Sequence, residues 1–236
     1  MTIPVYIICT GNPESSYVAK LTALFDCGYF DIFVVKCEDD IDTNEKEKKA
    51  IIYSLTNAKE IYCDSACIIV KDYMFSNLSC NNMYNLIKSI VEDDKCSWDV
   101  CYLARYLDKC DGTVVLPDIT TGGSLVTSND AEGDDALMFS PKARDLLISA
   151  IDNCNKSASD TINAQINDDK LKGVAISPPV VSYNPVFGDM QKTWECDGKG
   201  KPIPPNNDDG CSYTWIPILL LILIIIILMI WFFFYR

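Results

Sequence analysis

The chain has 236 residues, a net charge of −13, twelve cysteines and no histidine. Such acidity repels nucleic-acid phosphates, and no basic stripe offsets it. Without histidine there is no Ser-His-Asp or Cys-His catalysis, and the commonest zinc ligand is gone.

Val5–Thr10 is a continuous apolar run of strand length. Asn12-Pro13-Glu14 then predicts a helix start, with Asn12 as cap and Pro13 at the first helical position. Val18, Leu21, Leu24 and Phe25 give that helix its apolar stripe, and Gly28 stops it. Asp31–Cys37 reads as a second strand, ending in the acidic Glu38-Asp39-Asp40. Asp42 and Glu45 form a capping box for a helix reaching Lys59, with Ile51, Leu55 and Ala58 inward. Cys67–Val70 is a third strand. Met83, Leu86, Ile87 and Ile90 lie at helical core spacing. Trp98–Ala104 and Thr113–Leu116 are two more strands, and the polar, Gly-bearing stretch from Thr120 to Asp135 reads as a mobile loop. Ala136–Phe139 is a short strand. Ser140-Pro141 opens a helix with Leu146, Leu147 and Ala150 inward. A short helix at Asp160–Ile166 and a strand at Val174–Ile176 complete the series, and no internal repeat is present.

This alternation predicts an α/β fold, with a mostly parallel sheet and helices on both faces. Ligands of such sheets lie beyond the strand C-termini, which directs attention to the loops after Thr10, Cys37, Val70 and Ala104.

From Ile216 to Tyr235 the sequence IPILLLILIIIILMIWFFFY carries no charge. Twenty helical residues reach roughly 30 Å, the thickness of a bilayer's hydrocarbon core. Pro217 falls in the first turn, and Trp215 and the Trp231–Tyr235 cluster suit the two interfaces. The expected domains are therefore 1–197 (α/β), 198–214 (a linker rich in Pro, Gly and Asp) and 215–236 (a transmembrane anchor). Ile3–Cys9 has no basic residue before it and does not resemble a signal peptide. The expectation is a tail-anchored, single-pass membrane protein with its large domain in the cytosol. The sequons at Asn77 and Asn155 matter only if that domain is lumenal.

Twelve cysteines are about 5% of the chain, below the density of disulfide scaffolds. Cys9, Cys67 and Cys101 fall in apolar runs, where a buried thiol is the default. Cys63-x3-Cys67 and Cys96-x4-Cys101 lack a second pair at metal-site spacing. A redox role would rest on cysteine number alone, since no Cys-x-x-Cys occurs.

Several segments, taken in order, are similar to one family. VYIICTGNPESSYVAKLTALFDCGYFDIFVV gives a strand, polar turn, helix and strand. AIIYSLTNAKEIYCDSACIIVKDYMF gives a helix leading to a strand with a polar end. SWDVCYLARYL supplies a Trp-Asp strand, ALMFSPKARDLLISAI an aliphatic strand followed by Ser-Pro-Lys and a helix, and SASDTINAQI and GVAISPPVV close the series. Over residues 3 to 190 the chain resembles glycosyltransferase family 25, the lipooligosaccharide and collagen glycosyltransferase-like group, with its GT-A fold. The resemblance implies a UDP-sugar donor, a protein or glycan acceptor and a Mn²⁺ or Mg²⁺ ion held by carboxylates. It places Thr10, Gly11 and Asn12 by the nucleotide, Asp72 at the metal and Asp160 as a possible base toward the acceptor.

The chain departs from the family where the metal binds. A Leu-Glu-Asp-Asp motif is replaced by Ile69-Val70-Lys71-Asp72, so one carboxylate survives and a lysine stands beside it. Lys71 would repel a cation, although a lysine can also stabilise a diphosphate directly. The bland readings are turn and cap roles for Thr10–Asn12 and Asp72, and a helix N-terminal charge for Asp160.

Two functions follow as expectations. The first is a non-catalytic relative, a structural or interaction domain on a membrane; large DNA viruses carry many family-like genes, so a viral membrane or virion is a fitting home. The second is an active UDP-sugar-dependent glycosyltransferase.

Overall fold

Strand β1 (Ile3–Cys9) is buried at every position, because it is covered on both faces and paired on both edges. It pairs in parallel with β2 (Phe30–Lys36) on one side and with β3 (Cys67–Lys71) on the other. The computed structural model describes residues 2–11, 15–37, 43–94, 96–104, 113–120, 123–129 and 135–183, with two short strands at 195–196 and 202–203. The chain divides into two units, Met1–Pro204 and Pro205–Arg236, and the described residues all lie in the first. The span expected at 216–235 lies outside the described residues; among those described, no helix is long and apolar enough to cross a membrane.

Helix α1 (Ser16–Phe25) starts later than Asn12 and Pro13 suggest. Its N-cap is Ser15, whose hydroxyl accepts from the Val18 N–H at 3.4 Å; Asn12 lies outside the described residues. Gly28 follows with φ +78°, the left-handed turn that a side chain would resist. Then come α2 (Thr43–Ile61), the two-residue β4 (Met74–Phe75) and α3 (Cys80–Val91), capped by Ser79. Four further strands, β5 (Val100–Tyr102), β6 (Val114–Leu116), β7 (Ser124–Thr127) and β8 (Ala136–Phe139), precede α4 (Pro141–Asp152). The order ends with α5 (Ala158–Asn167), β9 (Gly173–Ser177), β10 (Ser182–Tyr183), β11 (Glu195–Cys196) and β12 (Pro202–Ile203).

Among the described residues eight strands form one sheet in the order β2-β1-β3-β8-β5-β9-β7-β6. Strands β8 and β7 run against their neighbours, so the sheet is mixed, not mostly parallel. The cause lies in the connections. No described helix separates β5 from β8 or β6 from β7, and antiparallel neighbours need no helical crossover. The stretch expected to be a loop at Thr120–Asp135 contains β7, whose Leu125 and Val126 are buried. Gly123 lets β7 approach β9: a Cβ there would lie 2.7 Å from the Ser177 carbonyl oxygen.

Strand alternation divides the core in two. Ile3, Val5 and Ile7 share one face with Leu21 and Phe25 of α1 and with Met83, Leu86, Ile87 and Ile90 of α3. Tyr6 and Ile8 share the other with Ile51 and Leu55 of α2, Leu147 of α4 and Ile162 of α5. Truncating any of these large aliphatics costs about 2–5 kcal/mol. Helices therefore cover both faces, as the sequence predicts.

Two longer-range ties fix the layers. A disulfide joins Cys27, just after α1, to Cys80 at the start of α3, across 53 positions. Arg144 of α4 is buried, and its Nη1 donates to the carbonyls of Ala58, Tyr62 and Ser65 at 3.0, 3.1 and 3.2 Å. Its Nη2 donates to Cys63 O at 2.6 Å. One guanidinium thus closes the orphan carbonyl end of α2 and shapes the turn into β3.

Candidate functional site

The chain leaves β1 for β2 on one side and returns past it to β3 on the other, while α1 and α2 diverge to opposite faces. In open sheets such a reversal creates a crevice beyond the strand C-termini. Residues Cys9, Thr10, Gly11 and Asp72 meet at this end. The Asp72 N–H donates to Ile8 O at 3.0 Å, which carries the β1–β3 ladder one residue further.

The Asp72 side chain is almost wholly buried. Its Oδ1 accepts from the Thr10 hydroxyl at 3.0 Å and its Oδ2 from the Cys9 thiol at 3.3 Å. Burial first, and then the Asp72 carboxylate, pushes the Cys9 thiol up to about 11, with the Gly11 main chain acting the other way. Cys9 is therefore protonated at neutral pH and serves as a donor. Gly11 is exposed, and a Cβ built on it meets nothing within 4 Å. Thr10, Gly11 and Asp72 are thus brought together, as the sequence suggests, and Asn12 lies outside the described residues.

Lys71 goes elsewhere. It is buried on the α2 side, where Nζ lies 2.9 Å from Glu47 Oε2 and 3.0 Å from Asp135 Oδ1. The Tyr73 hydroxyl donates to the same Asp135 oxygen, and the Lys71 N–H donates to Asp135 O at 2.8 Å. Lys71 is the last residue of β3 and Asp72 the first of the turn that follows, and the two side chains bind separate partners. The ammonium that a diphosphate would need is already held by two carboxylates.

Asp160 caps its own helix. Its Oδ2 accepts from the Ser157 hydroxyl at 2.8 Å, and Ser157 Oγ accepts from the Asp160 N–H at 3.1 Å, a reciprocal cap at the start of α5. Neither bond reaches the Asp72 cluster. Trp98-Asp99 lies at the opposite end of the sheet. There Asp99, buried, accepts from Lys142 Nζ and the Lys172 N–H, both at 2.9 Å, and ties β5 to the Ser-Pro-Lys turn and β9.

These residues do not fit a divalent cation. Asp72 is a single carboxylate with both oxygens engaged by protein donors, and the other acids near the end of β3, Glu47 and Asp135, are bound to Lys71. A hard cation needs several oxygen ligands. Among the described residues no group of three His, Cys, Asp or Glu side chains could hold a metal.

Sequence reasoning missed Cys9 as a donor to Asp72, and Glu47 and Asp135 as partners of Lys71. The period-two alternation of β3 was the available signal for the second; nothing in sequence spacing joins Cys9 to a position 63 residues away.

No protein-family model matches the chain, and no curated protein matches it by sequence. Solved structures do resemble it. A197 from STIV aligns at 10% identity and a TM-score of 0.48, covering 86% of this chain and 93% of its own. A glycosyltransferase involved in glycosylation of the major capsid of PBCV-1 aligns at 10% identity and 0.45, covering 73% and 80%. A nucleotide-diphospho-sugar transferase from Desulfovibrio desulfuricans aligns at 9% and 0.43, covering 74% and 80%. At such scores and identities none of them assigns a ligand or a reaction to this chain.

Proposed function

We propose that this chain is a GT-A-like domain tethered to a membrane by residues 216–235, which serves as a structural or interaction module and not as a metal-dependent glycosyltransferase. The observation that carries the reading is the closed state of both polar groups at the end of β3. Asp72 is bound by Cys9 and Thr10, and Lys71 is bound by Glu47 and Asp135. In a transferase those positions would face the nucleotide diphosphate and its cation. Here each serves to join strands, loop and helix.

The GT-A part of the reading rests on the ordered segments of residues 3 to 190 and on the mixed sheet with helices on both faces. The tether rests on the uncharged run at 216–235. In this reading the folded domain faces the cytosol, away from lumenal sugar donors. A viral membrane or virion is the setting in which we place it.

Two experiments test this. When the full chain in non-ionic detergent is incubated with UDP-galactose or UDP-glucose and Mn²⁺, no UDP is released above background. Release that Asp72→Ala abolishes would establish the alternative, an active UDP-sugar-dependent transferase with a protein or glycan acceptor. For topology, Asn77 and Asn155 are both exposed. Electrophoretic mobility of the cell-expressed chain is then unchanged by N-glycosidase, whereas a shift would place the domain in the lumen.

A further inference from the structure

Cys27 and Cys80 form the one disulfide among the described residues. Both are half-buried at the surface, whereas the free thiols of Cys9, Cys37, Cys67, Cys96 and Cys101 are buried. The two helices set the two sulfurs in opposite electrostatic settings. Cys27 follows the C-terminal end of α1, where Asp26 is the cap. Cys80 is the first residue of α3, whose opening turn holds no acidic side chain. The negative end of one helix and the positive end of the other therefore bracket the bond. Negative charge on a departing Cys80 sulfur is stabilised, and on a departing Cys27 sulfur it is not.

A second contact joins the same elements without a covalent bond. Tyr29 stacks on Tyr84 with ring centroids 4.1 Å apart, and Phe30 meets Tyr84 edge to face at 5.9 Å. Tyr29 and Phe30 follow Cys27 closely, and Tyr84 lies one helical turn past Cys80. The rings hold α3 beside the start of β2 when the disulfide opens. The Cα atoms of Cys27 and Cys80 are 6.0 Å apart, within the ordinary disulfide range, so the thiols can close again without backbone movement.

We propose that Cys27–Cys80 is a reversible disulfide that exchanges with a small cellular thiol of the glutathione class, and that Cys27 is the sulfur attacked. The inference rests on the cytosolic placement proposed for the domain, since disulfides in that compartment are usually transient and redox-sensing. The incoming thiolate bonds to Cys27 Sγ, the S–S bond breaks, and its electron pair leaves on Cys80 Sγ. A second thiolate attacks the added sulfur and frees Cys27. Each attacking thiol gives its proton to solvent, and each protein thiolate takes one back. In sum, one protein disulfide and two thiols give two protein thiols and one small-molecule disulfide, and that disulfide is the oxidant of the reverse reaction. Opening the bond unties α1 from α3, and the aromatic contact keeps the two thiols within reach of each other.

The test incubates the full chain, in non-ionic detergent at neutral pH, with reduced glutathione over a range of concentrations. Samples are quenched in acid, their free thiols are blocked, and the digests are mapped by mass spectrometry. The bond opens at a rate proportional to glutathione, and far-ultraviolet circular dichroism stays unchanged. Trapped glutathione is found on Cys27 over Cys80 by about tenfold or more, and exchange into glutathione disulfide restores Cys27–Cys80. A rate independent of glutathione, or opening only with loss of the helical signal, overturns the proposal, because the bond would then be reached through unfolding alone. Failure to reform the bond overturns its reversibility, and equal trapping on both sulfurs overturns the assigned direction of attack. The N-glycosidase shift reads topology separately, so failure of the cytosolic placement and failure of the exchange are told apart.

Discussion

The Cys9 thiol and the Asp72 carboxylate meet at 3.3 Å across the C-terminal ends of two neighbouring strands, 63 positions apart in the chain. With the Thr10 hydroxyl on the other oxygen, Asp72 becomes a staple between the first loop and the third strand. Removing it takes an acceptor from the buried Cys9 thiol and releases the exposed Thr10 from β3. Asp72→Ala should therefore destabilise the domain by about 1–3 kcal/mol, and Asp72→Asn, which keeps an acceptor, by less. Denaturant melts of the two variants against the parent chain measure the difference. Equal losses would mean that the carboxylate is not held as described.

Lys71 carries a larger burden. It sits between two carboxylates, with Asp135 as buried as itself. Lys71→Met leaves both acids close together without a counter-charge, and about 3–5 kcal/mol of stability is lost. Pairing Lys71→Met with Asp135→Asn relieves part of that penalty, because one of the two orphaned charges is gone. A double-mutant cycle on unfolding free energies checks this, and strict additivity would contradict it.

Arg144 is predicted to resist conservative replacement. Its four main-chain contacts need a planar fork, and the compact ammonium of Arg144→Lys cannot reach all four carbonyls. Both Arg144→Lys and Arg144→Ala should lose about 2 kcal/mol or more, with the loss focused on the end of α2. Hydrogen exchange reads this as faster exchange at Tyr62 and Ser65.

The cysteines should divide by environment. Burial pushes the Cys67 thiol up to about 12 and raises Cys101 as well, so neither forms thiolate at neutral pH. Cys154 moves the other way, lowered first by a hydrogen bond involving Thr161 and then by the Lys156 main chain. Only the thiolate reacts, and a lowered value means that it appears at a lower pH. Iodoacetamide at pH 7 should label Cys154 ahead of Cys9, Cys67 and Cys101, with Thr161→Val slowing it; mass spectrometry of the digest gives the order. Reducing Cys27–Cys80, which closes a loop of 53 positions, should cost up to about 4 kcal/mol.

Much of the fold was legible because the local signals agreed with the global one. The buried stripe of α3 was given by Met83, Leu86, Ile87 and Ile90, all fully buried, and Ser140-Pro141 marked the start of α4 where the Ser140 hydroxyl accepts from Ala143 N–H at 3.1 Å. Strand direction was not legible. Nothing in Ala136–Phe139 says that it runs antiparallel between β3 and β5; that follows from connections whose lengths and turns are not written in the strand itself. Strand β7 was hidden because Gly123 and its polar neighbours carry loop composition, while only four residues are needed to pair. For the site, proximity in sequence misled. Lys71 and Asp72 are adjacent, yet one ends the strand and the other opens the turn, and their partners come from 24 and 63 positions away.

Titration of the full chain with UDP in the presence of Mn²⁺, followed calorimetrically, tests the central claim most directly. If Asp72 and Lys71 are structural, no heat of binding appears up to about millimolar UDP, and Asp72→Ala leaves that silent trace unchanged. Binding at about 1 µM or tighter, requiring Mn²⁺ and lost in Asp72→Ala, would show that the carboxylate opens to a cation and would contradict the non-catalytic reading.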